Sequence, residues 1–231
     1  MRWLPLIAVV ISGCASANSG GGNGNSDASD TPPIDALVNS IDAPISIDAA
    51  LSQTLQQTQD NTVAAANSVA CGANGETDEN SWYRVFSLAE HGITTQFFVN
   101  QVTFSVQESA GSPPVQVKVG TYSGTLGATT LDVAQITPLA STTVTVPPTA
   151  AGLSVPAPLT ATIPANAQVV VEILSPNLSG TGNFVYIGAS TSAETRPGYI
   201  RAPACAIATP QTVAVTGFPN SHLIITLTGT H

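Results

Sequence analysis

The sequence predicts an all-β domain, a two-sheet β-sandwich of jelly-roll type, carried behind a disordered N-terminal tether. Three observations predict it. Charged residues make up only 8% of the chain and hydrophobic residues 43%, and Thr, Ser, Val and Ala dominate, whereas a helical domain would draw on Glu, Lys, Arg and Leu. From about Leu51 onward, short apolar or alternating runs recur between Gly and Pro turns, about eight or nine strands in roughly 180 residues. No segment combines a 3.6-residue apolar period with helix caps. A length of 231 residues suits one sizeable domain or two small ones. The reading is a signal segment over 1–13, a lipidated cysteine and tether over 14–49, and the β-sandwich over 50–231.

The first element is an export signal. Arg2 supplies a small positive region, Leu4 to Ile11 form an apolar run, and Ile11-Ser12-Gly13-Cys14 follows directly. The run is too short to span a bilayer as a helix. The segment resembles the bacterial lipobox, and the resemblance implies cleavage before Cys14 with acylation of its thiol and new amino group. Two or more acyl chains make a stable anchor where one gives only marginal binding. Ala15 rather than aspartate follows Cys14, which in the sorting pattern of a Gram-negative cell favours the outer membrane or cell surface over the inner membrane. The alternative is a secretory signal cut after Ala17, because Ala15-Ser16-Ala17 is an A-x-A site.

Next comes a spacer. Ser19 to Asp30 is rich in Gly, Ser, Asn and Asp and cannot bury enough apolar surface to fold. The imperfect repeat Ile34-Asp35-Ala36, Ile41-Asp42-Ala43, Ile47-Asp48-Ala49 is interrupted by Pro32, Pro33 and Pro44, which oppose a helix. Its carboxylates face no local basic residue, so repulsion keeps it open. It resembles the Asp-Ala-Pro-rich tethers of bacterial surface lipoproteins.

The strands follow. Ser81 to Leu88 places Trp82, Arg84, Phe86 and Leu88 on one face by alternation. Phe97 to Val106 puts Phe98, Asn100, Val102, Phe104 and Val106 on one face. Val115, Val117 and Val119 alternate with Gln116 and Lys118 and close at Gly120. Thr142–Val146 and Gly152–Thr162 are Thr/Val/Pro segments whose prolines argue for edges and corners. Gln168–Leu174 is a continuous apolar run, the pattern of a central strand. Asn183–Ile187 and His222–Thr228 complete the series.

The chain has three cysteines. With Cys14 lipidated, Cys71 and Cys205 remain, and an even pair in an exported protein reads as a disulfide. The alternative, a metal site, lacks a nearby histidine cluster. Net charge is −9, and after cleavage the basic residues are Arg84, Lys118, Arg196 and Arg201. That set excludes nucleic acid as a partner and excludes a polybasic lipid-binding patch.

Four separated stretches carry a further resemblance: Asn67-Ser68-Val69-Ala70-Cys71, Asp78 to Phe86, Pro197 to Cys205, and Gly217 to His222. In this order they resemble an uncharacterised accessory domain of secreted bacterial proteins, sometimes fused to subtilisin-like proteases. The likeness spans Leu51 to Gly229. It implies a β-sandwich that accompanies other activities, with no known substrate or catalytic set. In that family glycine usually follows the second cysteine, where this chain has Ala206.

Four sets of candidate residues emerge. Arg84 and Glu172 are lone charges in apolar strands, and a buried charge requires a partner, so they are expected to pair between strands; a ligand-facing arginine is the functional alternative. Glu76, Asp78 and Glu79, beside Asn80, form an oxygen-rich cluster of the kind calcium favours, although EF-hand spacing is absent and a solvated turn gives the same pattern. Among the large aromatics, Tyr122 beside Gly120 and Gly124, and Tyr199 beside Gly198 and Arg201, are the expected exposed sugar-stacking candidates. No G-x-S-x-G or H-E-x-x-H motif is present, and His222, at the start of the last strand, reads as structural. The expected function is a non-catalytic surface lipoprotein that binds a glycan or extracellular polymer. A structural or protein-adhesive role is the alternative, and a hydrolase the least favoured.

Overall fold

The computed structural model describes residues 50–231. Cys14, the signal segment and the tether therefore lie outside the described residues. Fifteen strands succeed one another: β1 (Ser52–Leu55), β2 (Gly72–Ala73), β3 (Glu76–Thr77), β4 (Asn80–Ser87), β5 (Phe97–Ala110), β6 (Pro114–Tyr122), β7 (Ile136–Thr145), β8 (Leu153–Ile163), β9 (Gln168–Ser175), β10 (Phe184–Ile187), β11 (Ala189–Ser190), β12 (Tyr199–Ala202), β13 (Ile207–Thr212), β14 (His222–Leu223) and β15 (Ile225–Thr230). Short turns of 3-10 helix are the only helical elements among the described residues.

Eight of these strands form the jelly roll. One sheet runs β1-β15-β5-β8 and the other β4-β9-β6-β7, with every pairing antiparallel. Apart from the β6–β7 hairpin, the chain changes sheet between successive members of this set. That crossing pattern is the double Greek key of a jelly roll. The segment between β9 and β15 elaborates it: β10 pairs with the far end of β5, while β12 and β13 extend the second sheet beyond β4. β1 and β15 pair Ser52 with Thr230.

Alternation fills the space between the sheets. Trp82 and Phe86 of β4, Val115, Val117 and Val119 of β6, and Val169, Val171 and Ile173 of β9 meet Val102, Phe104 and Val106 of β5 in one apolar core. Each such side chain contributes about 1.5–3 kcal/mol by leaving water.

β5 departs from strict alternation. Its register slips between Val99 and Gln101 against β8, and the pairing with β15 slips at the same place. Asn100 is the extra residue of a bulge, which inverts the facing of everything before it. Phe97 and Val99 are therefore buried, while Phe98 is 48% exposed, contrary to the face expected from the sequence.

Cys71 and Cys205 form a disulfide across 134 residues of chain, with Cα atoms 5.8 Å apart. A disulfide of this kind belongs to an oxidising, extracytoplasmic setting. Asn80 fixes its first end, accepting from Cys71 N at 2.8 Å and donating to Cys71 O at 2.9 Å. At the other end Ala206 adopts a left-handed φ of 62°, the conformation that glycine takes most readily. No described helix is long and apolar enough to cross a membrane.

Candidate functional site

The outward face of the β4-β9-β6-β7 sheet, extended by β12, carries the most developed surface site. Where Trp82, Arg84 and Phe86 point inward, the intervening Tyr83 and Val85 must point out. Register then aligns a row across four strands: Tyr199 opposes Tyr83, Tyr83 opposes Glu172, and Glu172 opposes Lys118. A second row places Val85 beside Val170 and Val170 beside Gly120.

The connection between β6 and β7 folds back over part of this face. Leu131 is fully buried there against Tyr83, Val85, Tyr122, Val170 and Tyr199. Leu131 N donates to Pro210 O at 3.0 Å, and Thr212 N donates to Thr129 O at 2.9 Å, which latch the connection to β13. Asp132 caps its last turn by accepting from Ala134 N at 3.0 Å.

Beside this cover lies an open groove of about 460 Å³. Val170 and Gly120 lie at its base, Val133, Ile136 and Pro138 on its apolar side, and Tyr83, Lys118, Glu172 and Arg201 supply its polar atoms. Gly120 is required by close approach, since a Cβ there would lie 2.6 Å from Thr137 O.

The polar atoms form a ready hydrogen-bonding set. Tyr83 OH donates to Glu172 Oε1 at 3.0 Å, and Lys118 Nζ meets Glu172 Oε2 at 3.1 Å. Burial first, and the Glu172 charge second, push the Tyr83 phenol well above its ordinary range. It therefore stays a protonated donor at neutral pH. Arg201 Nη1 donates to Glu79 Oε1 at 2.7 Å and its Nε to Ala208 O at 3.2 Å. The groove lining holds a single carboxylate and no His, Ser or Cys.

Several expected site residues are placed differently. Arg84 does not pair with Glu172. It projects into the sandwich interior, opposite Val171, whereas Glu172 opposes Tyr83 on the outer face, so the two side chains leave opposite sides of one sheet. The fully buried guanidinium instead donates to Glu194 Oε2 at 2.7 Å, Arg196 O at 2.6 Å and, through Nε, Leu223 O at 3.0 Å. Burial pulls its pKa below the ordinary guanidinium value, and the Glu194 charge opposes that pull. Enclosed by protein partners, Arg84 is a structural cation with no path to a surface ligand.

Tyr122 and Tyr199 are 6% and 2% exposed, too covered to stack on a sugar. The β6–β7 connection conceals both, and Tyr83, 3% exposed, is covered in the same way, which leaves Arg201 at the open groove. Glu76, Asp78 and Glu79 do not converge. Glu76 accepts from Gly180 N at 2.6 Å and Gly182 N at 2.5 Å, while Glu79 takes Arg201. Among the described residues no group of three or more His, Cys, Asp or Glu side chains is arranged to hold a metal ion. His222 is held between the carbonyls of Ser192 and Pro219, as a structural histidine would be.

Lys118 and Tyr83 were not singled out as a pair by the sequence. The available signal was Lys118 as the lone cation of an alternating strand, on the parity opposite its three valines.

No protein-family model matches the chain, and no curated protein matches it. Among solved structures it is similar to the cysteine protease and lectin-like domains of Cwp84, a surface layer associated protein of Clostridium difficile. That likeness has 12% identity and a TM-score of 0.47, over 72% of this chain and 36% of that one. It is also similar to the structure of infectious bursal disease virus Gx strain, with 13% identity and a TM-score of 0.24, over 80% of this chain and 36% of that one. The chain thus spans about a third of the length of either neighbour. Likenesses of this strength say nothing about ligand or activity.

Proposed function

We propose that this protein is a lipid-anchored surface lipoprotein whose β-sandwich binds an extracellular glycan or polymer through the groove on its outer sheet face. The groove carries the proposal: an apolar side and base edged by an ammonium, a guanidinium and a carboxylate. Saccharide recognition calls for this mixture, because a pyranose ring presents apolar C–H faces and a rim of hydroxyls that both donate and accept. Lys118 and Arg201 supply donors and Glu172 an acceptor, with the covered Tyr83 OH holding the Glu172 carboxylate in place. A lining with one carboxylate and no His, Ser or Cys offers neither a carboxylate pair nor a nucleophile with its base, which makes binding a better fit than hydrolysis.

A glycan array probed with the mature protein tests the reading. Binding should be seen with the native chain and fall about tenfold or more in Lys118→Ala and Arg201→Ala, each removing a charged hydrogen bond. No bound glycan, or binding that both variants retain in full, would refute it. Anchoring through Cys14 rests on the lipobox resemblance, with the disulfide supporting the exported setting. Cys14→Ser should abolish pelleting with membranes. A native chain that fails to pellet, as the variant does, would favour the cut after Ala17.

A further inference from the structure

We infer that β7 is a self-association edge, through which two copies of this chain join their β4-β9-β6-β7 sheets into one continuous sheet. Most edges that the fold leaves open are blunted. β8 carries Pro156 and Pro158 within Leu153–Ile163, and proline cannot donate to a ladder. β13 contains Pro210 and is bridged by Thr130 to Gln211. β1 is only four residues long. These are the devices that blunt an edge.

β7 has none of them beyond its start. From Leu139 to Thr145 it reads Leu-Ala-Ser-Thr-Thr-Val-Thr, without charge or proline, and among the described residues its only strand partner is β6. In a chain of net charge −9 this is where two copies meet with no charge in the contacting strand.

The side chains also show an unfinished surface. Ser141, Thr143 and Thr145 point outward and are exposed, while Ala140, Thr142 and Val144 point toward the interior and are only half-buried. Ala140 and Val144 pack on the core from this edge, with Leu153 and Ala161 of the neighbouring β8 beside them. Leu139 and Phe98, 43% and 48% exposed, line a depression on the same side.

A second copy fits this edge by symmetry. Two-fold antiparallel pairing about Thr142 sets Ala140 against the partner's Val144 and Ser141 against the partner's Thr143. Residues directly opposite share a face, so half-buried apolar side chains cover one another while the hydroxyls stay outside. A two-fold dimer is also the commonest closed assembly. The pairing brings both grooves onto one sheet face, but it does not depend on what those grooves bind.

The register gives a test in the full mature chain, read by sedimentation velocity over a concentration series. The native protein should reach twice the monomer mass. Ser141→Lys combined with Thr143→Lys sets lysine against lysine at two symmetric positions and should raise the dimer Kd by about tenfold or more. Ser141→Lys combined with Thr143→Glu sets lysine against glutamate in the same register and should retain the dimer. Both substituted positions are exposed on the outer face, so an unfolding midpoint unchanged at dilutions where the native chain is monomeric separates lost pairing from lost fold. A native chain that stays monomeric throughout overturns the inference, including where the edge is taken by another protein or by the chain's own tether. A dimer equally indifferent to both substitution pairs also overturns it.

Discussion

Glu194 neutralises a guanidinium that has no access to water, which makes it more consequential for stability than any other acidic side chain of the domain. Removing one partner of a buried pair leaves an uncompensated charge, a loss of about 3–5 kcal/mol. Because the Glu194 side chain is itself 19% exposed, the lower end is expected, about 3 kcal/mol for Glu194→Ala. Glu172 is as covered, at 18%, but its cation Lys118 is 35% exposed and can be rehydrated, so Glu172→Ala should cost less, about 1–2 kcal/mol for the Tyr83 hydrogen bond and a screened pair. Denaturant unfolding of both variants decides this, and equal losses would contradict the assignment. Arg84 stood out in the sequence because a charge on the Trp82-Phe86 face must be buried. Its partner did not, because Val169 to Leu174 is apolar on both parities and hides which face Glu172 takes. Glu194 lies in a connection that periodicity says nothing about.

At the scale of elements, hydrogen bonds brace the loops against the strands. Trp82 Nε1 donates to Val69 O at 2.8 Å, Ser68 Oγ to Ile187 O at 2.6 Å, and Ser221 Oγ to Asn67 O at 2.6 Å. Asn67–Cys71 is thus tied to Asp78–Phe86 and to Gly217–His222 by hydrogen bonds, and Pro197–Cys205 joins them through the disulfide and the pairing of β12 with β4. Glu76 braces in the same way, tying the β2–β3 hairpin to the Gly180–Gly182 turn, and the two backbone N–H groups hold its carboxyl below the usual range. Between the lowered folded value and the ordinary unfolded one, the unfolded chain binds more protons. The contribution is therefore complete above the ordinary carboxylate pKa and lost as pH falls through the lowered one. In Glu76→Gln, the acid-side decline of the unfolding midpoint should be shallower than in the native chain; superimposable profiles would count against it.

Across the whole molecule, the disulfide and the jelly-roll connectivity act on the same problem. The pairing of β1 with β15 and of β5 with β8 and β15 makes most of the sheet order non-local, and each closure costs chain entropy. Linking Cys71 to Cys205 across 134 residues removes much of that freedom from the unfolded chain, about 5 kcal/mol in the chain-entropy treatment and less where residual structure remains. Reduction, or Cys71→Ala with Cys205→Ala, should lower stability by about 2–5 kcal/mol while leaving the β circular-dichroism signature in native buffer. A midpoint insensitive to reductant would show that the bridge constrains little.

The sequence by itself pointed to the all-β class, the strands β4, β5, β6, β8 and β9 and a Cys71–Cys205 bridge, and it marked Arg84 as a charge in need of a partner. These follow from local alternation, turn residues and the cost of an unpaired buried charge, all of which act over a few residues. Tertiary structure decided which parity of β9 faces outward, where the Asn100 bulge inverts β5, that the β6–β7 connection covers Tyr122 and Tyr199, and that Tyr83, Lys118, Glu172 and Arg201 share one groove. Each of those depends on strand register and on a loop folding across a sheet. Register is set by contacts between segments distant in the chain, and no local pattern contains it.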